Sequence, residues 1–195
     1  PALSSDVTAL YFGGISLACE PAADAYAALA EAEGGARAVM LDPNIRQGFI
    51  EDEARYRDRL QRMIRVADIV KVSDEDLGWI IPGEQGLADK AAALLAQGPA
   101  LVILTKGAEG VTGFLRSGGQ VHVPAQRVEV VDTVGAGDTF NAGVLAKLSD
   151  AGVLEKARLA ALSSDTVETA LVFGAKIAGV TVSRAGANPP WAEEL

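Results

Sequence analysis

The residues best suited to chemistry run from Val131 to Gly143, and they read Val-Asp-Thr-Val-Gly-Ala-Gly-Asp-Thr-Phe-Asn-Ala-Gly. Gly135, Ala136 and Gly137 let a ligand approach the backbone closely and leave its N–H groups unobstructed. The stretch that follows has helical spacing, which sets those N–H groups at a helix N-terminus. Free donors and the helix dipole together make such a place an anion site. Asp138 falls in the first turn of the same helix. A carboxylate beside an anion hole suits one task, accepting a hydroxyl proton while a phosphoryl group passes close by. A bare Gly-Ala-Gly would be read as an ordinary glycine loop with a capping Asp. The full string before an amphipathic helix favours the catalytic reading.

Three further groups of polar residues stand where apolar runs end. Asp42-Pro43-Asn44-Ile45-Arg46 follows one run, and a buried ion pair is the plain alternative to a ligand site there. Lys71-Val72-Ser73-Asp74-Glu75-Asp76 follows another, where Ser73 also suits a helix N-cap. Thr105-Lys106-Gly107-Ala108-Glu109-Gly110 closes a third, as a turn or a phosphate loop.

These groups need a scaffold that brings strand ends together. Val7–Phe12, Ala36–Leu41, Asp68–Val72 and Leu101–Thr105 read as buried strands. Ala22–Glu33, Asp52–Ala67, Ser73–Trp79 and Leu87–Gln97 carry helical spacing between and after them. Such alternation predicts βαβ units and a parallel sheet. Val111–Leu115 and Gln120–Pro124 flank Ser117-Gly118-Gly119 and predict a hairpin. Arg127–Val131 reads as one more short strand. Helices are expected over Gly137–Asp150, Leu154–Leu162 and Ser163–Gly179, with a loop to the C-terminus. The fold class is α/β, a three-layer α/β/α sandwich with a mostly parallel sheet and an antiparallel edge. Ligands on such folds sit at the carboxyl ends of the strands.

Composition sets the outer bounds. The chain has 195 residues, 49% hydrophobic and 22% charged, which excludes global disorder. A net charge of −9 argues against non-specific nucleic-acid binding. One cysteine excludes an internal disulfide framework and a Cys-rich zinc site. No apolar run reaches bilayer length, and a cytoplasmic setting fits best. Neither a Walker string nor a Gly-x-Gly-x-x-Gly after the first strand occurs, which weighs against other nucleotide folds.

Taken together, the motifs resemble those of the ribokinase-like (PfkB) carbohydrate kinases, over essentially the whole chain. The Asp132–Asp138 string resembles the family signature. Asp42–Arg46 resembles its Asp-x-Asn-x-Arg element, Lys71–Asp76 its Lys-x-Asn/Ser-x-x-Glu segment, Thr105–Gly110 its Thr-x-Gly-x-x-Gly loop, and Ser183–Ala187 its C-terminal Arg-x-Gly-Ala loop. The resemblance implies ATP-dependent phosphorylation of a sugar hydroxyl, with Asp138 as general base and Gly135, Ala136 and Gly137 as the anion hole. It implies nucleotide contacts at Lys71, Ser73, Thr105, Lys106, Gly107 and Gly110. An adenine wall is implied at Gly174, Ala175 and Ala178, although small residues on a helix are equally ordinary packing. Substrate contacts are implied at Asp138, Asn44 and Arg46. Mg²⁺ is implied near Glu75 and Asp76, where Asp76 stands in for the family's Glu. K⁺ is implied at Asp132 with the backbone of Val134, Ser183 and Gly186. The closest likeness is to bacterial fructokinases, with a 2-keto-3-deoxygluconate kinase or a non-catalytic nucleotide-binding module as alternatives. The family's N-terminal third, which carries a sugar-binding Asp and a lid that can form a homodimer, is expected to lie outside these residues. The sugar is the expected small-molecule partner.

Overall fold

In the computed structural model, residues 3–195 are described. Six strands form one sheet whose spatial order equals chain order: β1 (Ala9–Gly13), β2 (Ala38–Asp42), β3 (Ile69–Ser73), β4 (Leu101–Thr105), β5 (Val111–Leu115) and β6 (Gln120–Val123). The first four are parallel, and β5 and β6 return antiparallel. Every connection between parallel strands passes through a helix: α1 (Ile15–Ala18) and α2 (Ala22–Glu33), then α3 (Glu53–Val66), then α4 (Asp74–Ile80) and α5 (Leu87–Leu95). The chain ends in α6 (Ala136–Asp150), α7 (Lys156–Leu159) and α8 (Ser164–Val182).

Period-two alternation along the strands sorts the side chains into two cores. Val39, Leu41, Val70, Val72, Val102 and Leu104 pack with Leu17, Leu60, Met63, Leu77 and Leu94 from α1 to α5. Ala38, Met40, Ile69, Leu101 and Ile103 pack with Phe140, Val144, Leu159 and Leu171 from α6 to α8. All crossover helices thus cover one face, and the C-terminal helices cover the other. The same alternation carries the strand-end residues Tyr11, Asp42, Lys71, Ser73 and Thr105 to the face covered by α6.

Three expected elements differ in the structure. Arg127–Val131 is not a strand. Its chain runs over the end of α8, where the Val131 and Asp132 amides both donate to the Val182 carbonyl (2.8 and 3.2 Å). The pattern is β-branched, but the Val131 and Asp132 amides are spent on the end of α8 rather than on a neighbouring strand. The helix expected over Leu154–Leu162 shrinks to α7, because Ser163 takes up the N-cap of α8 and accepts from the Thr166 amide. Helix α8 also runs three residues past Gly179. That glycine is buried against Gln126, whose Cβ lies 3.0 Å from where a methyl would stand. Helix α1 was not foreseen, since four residues show no period.

The first loop is held by a close backbone approach. A Cβ on Gly14 would stand 1.9 Å from the Pro43 carbonyl oxygen, so only glycine lets the β1 and β2 ends meet. β1 forms one open edge of the sheet.

Candidate active site

Helix α6 starts from Gly135 at φ +79°, a left-handed conformation that glycine adopts without strain. A methyl there would also meet Ala187 Cβ at 3.0 Å. No side chain caps this end. The Ala136 amide reaches Thr133 O at 3.3 Å, and Thr139 turns its hydroxyl back onto the carbonyls of Gly135 and Ala136 (2.9 and 3.2 Å). The Gly137 and Asp138 amides therefore have no protein acceptor among the described residues. Two free donors at the positive end of a 15-residue helix are suited to an anion. Of the expected Gly135, Ala136 and Gly137, the Ala136 N–H is taken by Thr133 O; Gly137 offers one of these free amides, and Asp138 supplies the other.

Beneath this turn lies a chain of polar groups. Lys71 Nζ donates to Asp42 Oδ2 at 3.1 Å, and both side chains are buried. The register Met40–Ile69, carried two residues on, sets Asp42 beside Lys71. A Cβ on Gly137 would lie 3.4 Å from Lys71 Nζ, so the ammonium sits directly under the start of α6. Asn141, one turn after Asp138, donates from Nδ2 to Asp42 Oδ2 at 2.7 Å and to Tyr11 Oη at 3.1 Å. Tyr11 Oη in turn faces Asp138 Oδ1 at 3.5 Å. Burial first, then the Asp42 charge, pushes the Tyr11 phenol up to about 12, so it is a neutral donor at physiological pH. Asp42 Oδ1 and Asn141 Oδ1 are buried with no partner. Asp138 itself is exposed, open to a ligand.

Residues 2–194 match the pfkB family carbohydrate kinases. The chain belongs to that family. A fructokinase from Rhizobium leguminosarum bv. trifolii is 48% identical over 168 residues, covering 86% of this chain and 51% of that protein. The aminoimidazole riboside kinase of Salmonella enterica, solved with aminoimidazole riboside and an ATP analogue, superposes with a TM-score of 0.77 at 29% identity. It covers 92% of this chain and 57% of that one. A double-mutant fructokinase from Vibrio cholerae O395, solved with fructose, ADP and potassium, gives a TM-score of 0.78 at 25% identity, over 92% and 55% of the two chains. The chain spans about half the length of the curated relatives it matches. The pfkB fold agrees with the mostly parallel sheet and antiparallel edge read from the sequence.

Several residues assigned through the pfkB resemblance do other work in the structure. Asp76 is buried, and its carboxylate accepts from the Ile45 amide (2.9 Å) and the Ser73 amide (3.4 Å). Ser73 accepts from the Asp76 amide at 3.0 Å, which completes a capping box at α4. Both side chains thereby join the β2 and β3 ends. Glu75 points outward from α4 and is exposed. Gly174 is no wall for a ring. It is buried at the crossing of α6 and α8, where a methyl would stand 3.0 Å from the Phe140 ring. Ala175 and Ala178 are half-buried against the same core.

Of the other assignments, Gly107 and Arg46 are exposed, whereas Gly110 is buried against the backbone of Val123 and Ala125. Gly107 and Gly110 take φ of +51° and +97°, and they fold the loop after β4 into a turn closed by Lys106 N–H on Gly110 O at 2.9 Å. Thr105 Oγ1 donates to Val72 O, and Lys106 Nζ pairs with Glu109 at 2.6 Å. Asn44 holds φ at +40°, and Arg46 is exposed with its guanidinium on the Asn44 and Ile45 carbonyls.

Asp132 ties the signature loop to the C-terminal loop. It accepts from Val134 N at 3.0 Å and from Gly186 N at 2.9 Å, and these bonds hold its carboxyl below the ordinary carboxylate range. A lowered carboxyl stabilises the fold above its unfolded pKa, and that contribution fades as pH falls through the folded value. The tie is thus intact at neutral pH and opens only in acid.

Tyr11 and Asn141 were not singled out from the sequence as site residues. Both signals were present: Tyr11 shares strand parity with Ala9, and Asn141 lies three residues after Asp138, one helical turn on.

Proposed function

We propose that this chain carries ATP-dependent phosphorylation of a sugar hydroxyl, with fructose as the acceptor. The observation that supports this most is the free-amide turn at Gly137 and Asp138, lying over the buried Lys71 with the open Asp138 carboxylate beside it. These residues supply the nucleotide-binding and phosphoryl-transfer half of the activity. The Gly137 and Asp138 amides hold the oxygens of the γ-phosphoryl group, and Lys71 adds positive charge beneath them. Asp138 takes the proton of the sugar hydroxyl as its oxygen bonds to phosphorus. The bond from phosphorus to the β–γ bridging oxygen breaks, and ADP leaves. Fructose is favoured because fructokinases recur among the relatives, one at 48% identity.

Two ions need separate treatment. The Asp132 carboxylate and the adjacent loop at Gly186 lie directly behind Gly135, which Ala187 touches. Both oxygens of that carboxylate already accept from the Val134 and Gly186 amides, so K⁺ is placed in this cradle on the family resemblance, with the remaining carboxylate lone pairs as ligands; it would stiffen the anion hole without meeting the sugar. For Mg²⁺ the described residues supply no all-protein cage. Asp76 is committed, and no group of three His, Cys, Asp or Glu able to hold a metal occurs among the described residues. Any Mg²⁺ would be held mainly by phosphate and water oxygens. No helix among the described residues is long and apolar enough to cross a membrane.

The test is ADP release by the enzyme at its full natural length, across a panel of sugars that includes 2-keto-3-deoxygluconate, in K⁺ and in tetramethylammonium at equal ionic strength. Turnover is expected to be highest with fructose and several-fold faster in K⁺. A clear preference for another acceptor would overturn the fructose assignment, and equal rates in the two cations would count against the Asp132 cradle.

A further inference from the structure

We propose that Tyr11 and Asn141 form a positioning relay that ties the Asp138 carboxylate to the buried Lys71–Asp42 pair. This rests on Asp138 acting as the base. Asp42 Oδ2 is an acceptor at the buried end of the chain. Only the NH₂ end of the Asn141 amide can face it, so the 2.7 Å contact fixes which way the amide points. One Nδ2 proton goes to Asp42, and the other goes to Tyr11 Oη at 3.1 Å. A phenol that accepts there has its single proton free to point elsewhere. Asp138 Oδ1, 3.5 Å away, is the acceptor in its path.

The consequence is directional. Tyr11 engages Oδ1 of the base and leaves Oδ2 as the oxygen open to a substrate hydroxyl. Lys71 anchors the far end and also sits beneath the Gly137 amide. One rigid chain of side chains therefore sets both the base and the anion hole. At 3.5 Å the Oη–Oδ1 contact is long for a hydrogen bond, and catalytic contacts of this kind shorten when ligand fills a site.

The test is Tyr11→Phe, which removes one oxygen from a partly exposed ring. In the enzyme at its full natural length, kcat is expected to fall about tenfold, as when a hydrogen bond to a charged group is lost. KM for ATP and for the sugar is expected to stay within about twofold, because the relay touches neither. By NMR, the Asn141 amide proton facing Tyr11 is expected to shift and exchange faster, while the one facing Asp42 stays in place. Unchanged kcat, a raised sugar KM at unchanged kcat, or an undisturbed Asn141 amide would each overturn the relay. Full turnover in Asp138→Asn would overturn the base assignment and this proposal with it, even where the Asn141 signature in Tyr11→Phe persists.

Discussion

Replacing Asp138 with Asn removes most turnover and leaves ATP binding within a few-fold of the native value. The amide has the shape of the carboxylate and sits in the same turn, so the Gly137 and Asp138 backbone donors stay where they are. What it loses is the capacity to take a proton from a hydroxyl. Loss of a general base costs about a hundred- to ten-thousand-fold in rate. Steady-state kinetics with ATP and fructose, paired with nucleotide titration, separates the two effects. A kcat near the native value would show that the proton leaves by another route.

Lys71→Met is the largest expected loss of stability. The substitution leaves Asp42 as a buried carboxylate whose remaining polar contact is the Asn141 amide. Breaking a buried pair from one side costs about 3–5 kcal/mol. For a domain of this size that lowers the melting temperature by roughly 6–20 °C. Replacing both members, Asp42→Asn with Lys71→Met, removes the stranded charge and is expected to recover more than half of the loss. Turnover is not expected to recover, because the charge beneath Gly137 is still missing. Equal melting temperatures for the single and double variants would show that Lys71 does not compensate Asp42.

Legibility from the sequence divides along a physical line. Strands, crossover helices and the glycine-rich start of α6 are local, because period and composition fix them within ten or twenty residues. The helix start that presents Asp138 and the free Gly137 amide belongs to that class. The relay does not belong to it. Tyr11 and Asn141 are 130 residues apart, and only the sheet register and the docking of α6 bring them together. Asp42 could be read as a ligand contact or as half of an ion pair, and Lys71 as a nucleotide contact or a plain strand end; the structure joins the two as a buried pair. Asp76 and Ser73 show the converse. Their spacing suits a capping box as well as a metal site, and the backbone amides of Ile45, Ser73 and Asp76 take up their oxygens. Gly174 and Gly179 are small for helix and loop packing, which composition alone cannot tell apart from room for a ligand.

The most direct measurement is a backbone-amide NMR titration of the protein with a non-hydrolysable ATP analogue. If the turn over Lys71 holds the transferring phosphoryl group, the largest shifts fall on the Gly137 and Asp138 amides, with smaller ones at Gly107–Gly110. Lys71→Met would shrink them in step with affinity. Shifts centred instead on the open groove between α6 and α8, at Lys147, Phe173 and Lys176, with Gly137 and Asp138 unmoved, would contradict the placement of phosphoryl transfer at the start of α6.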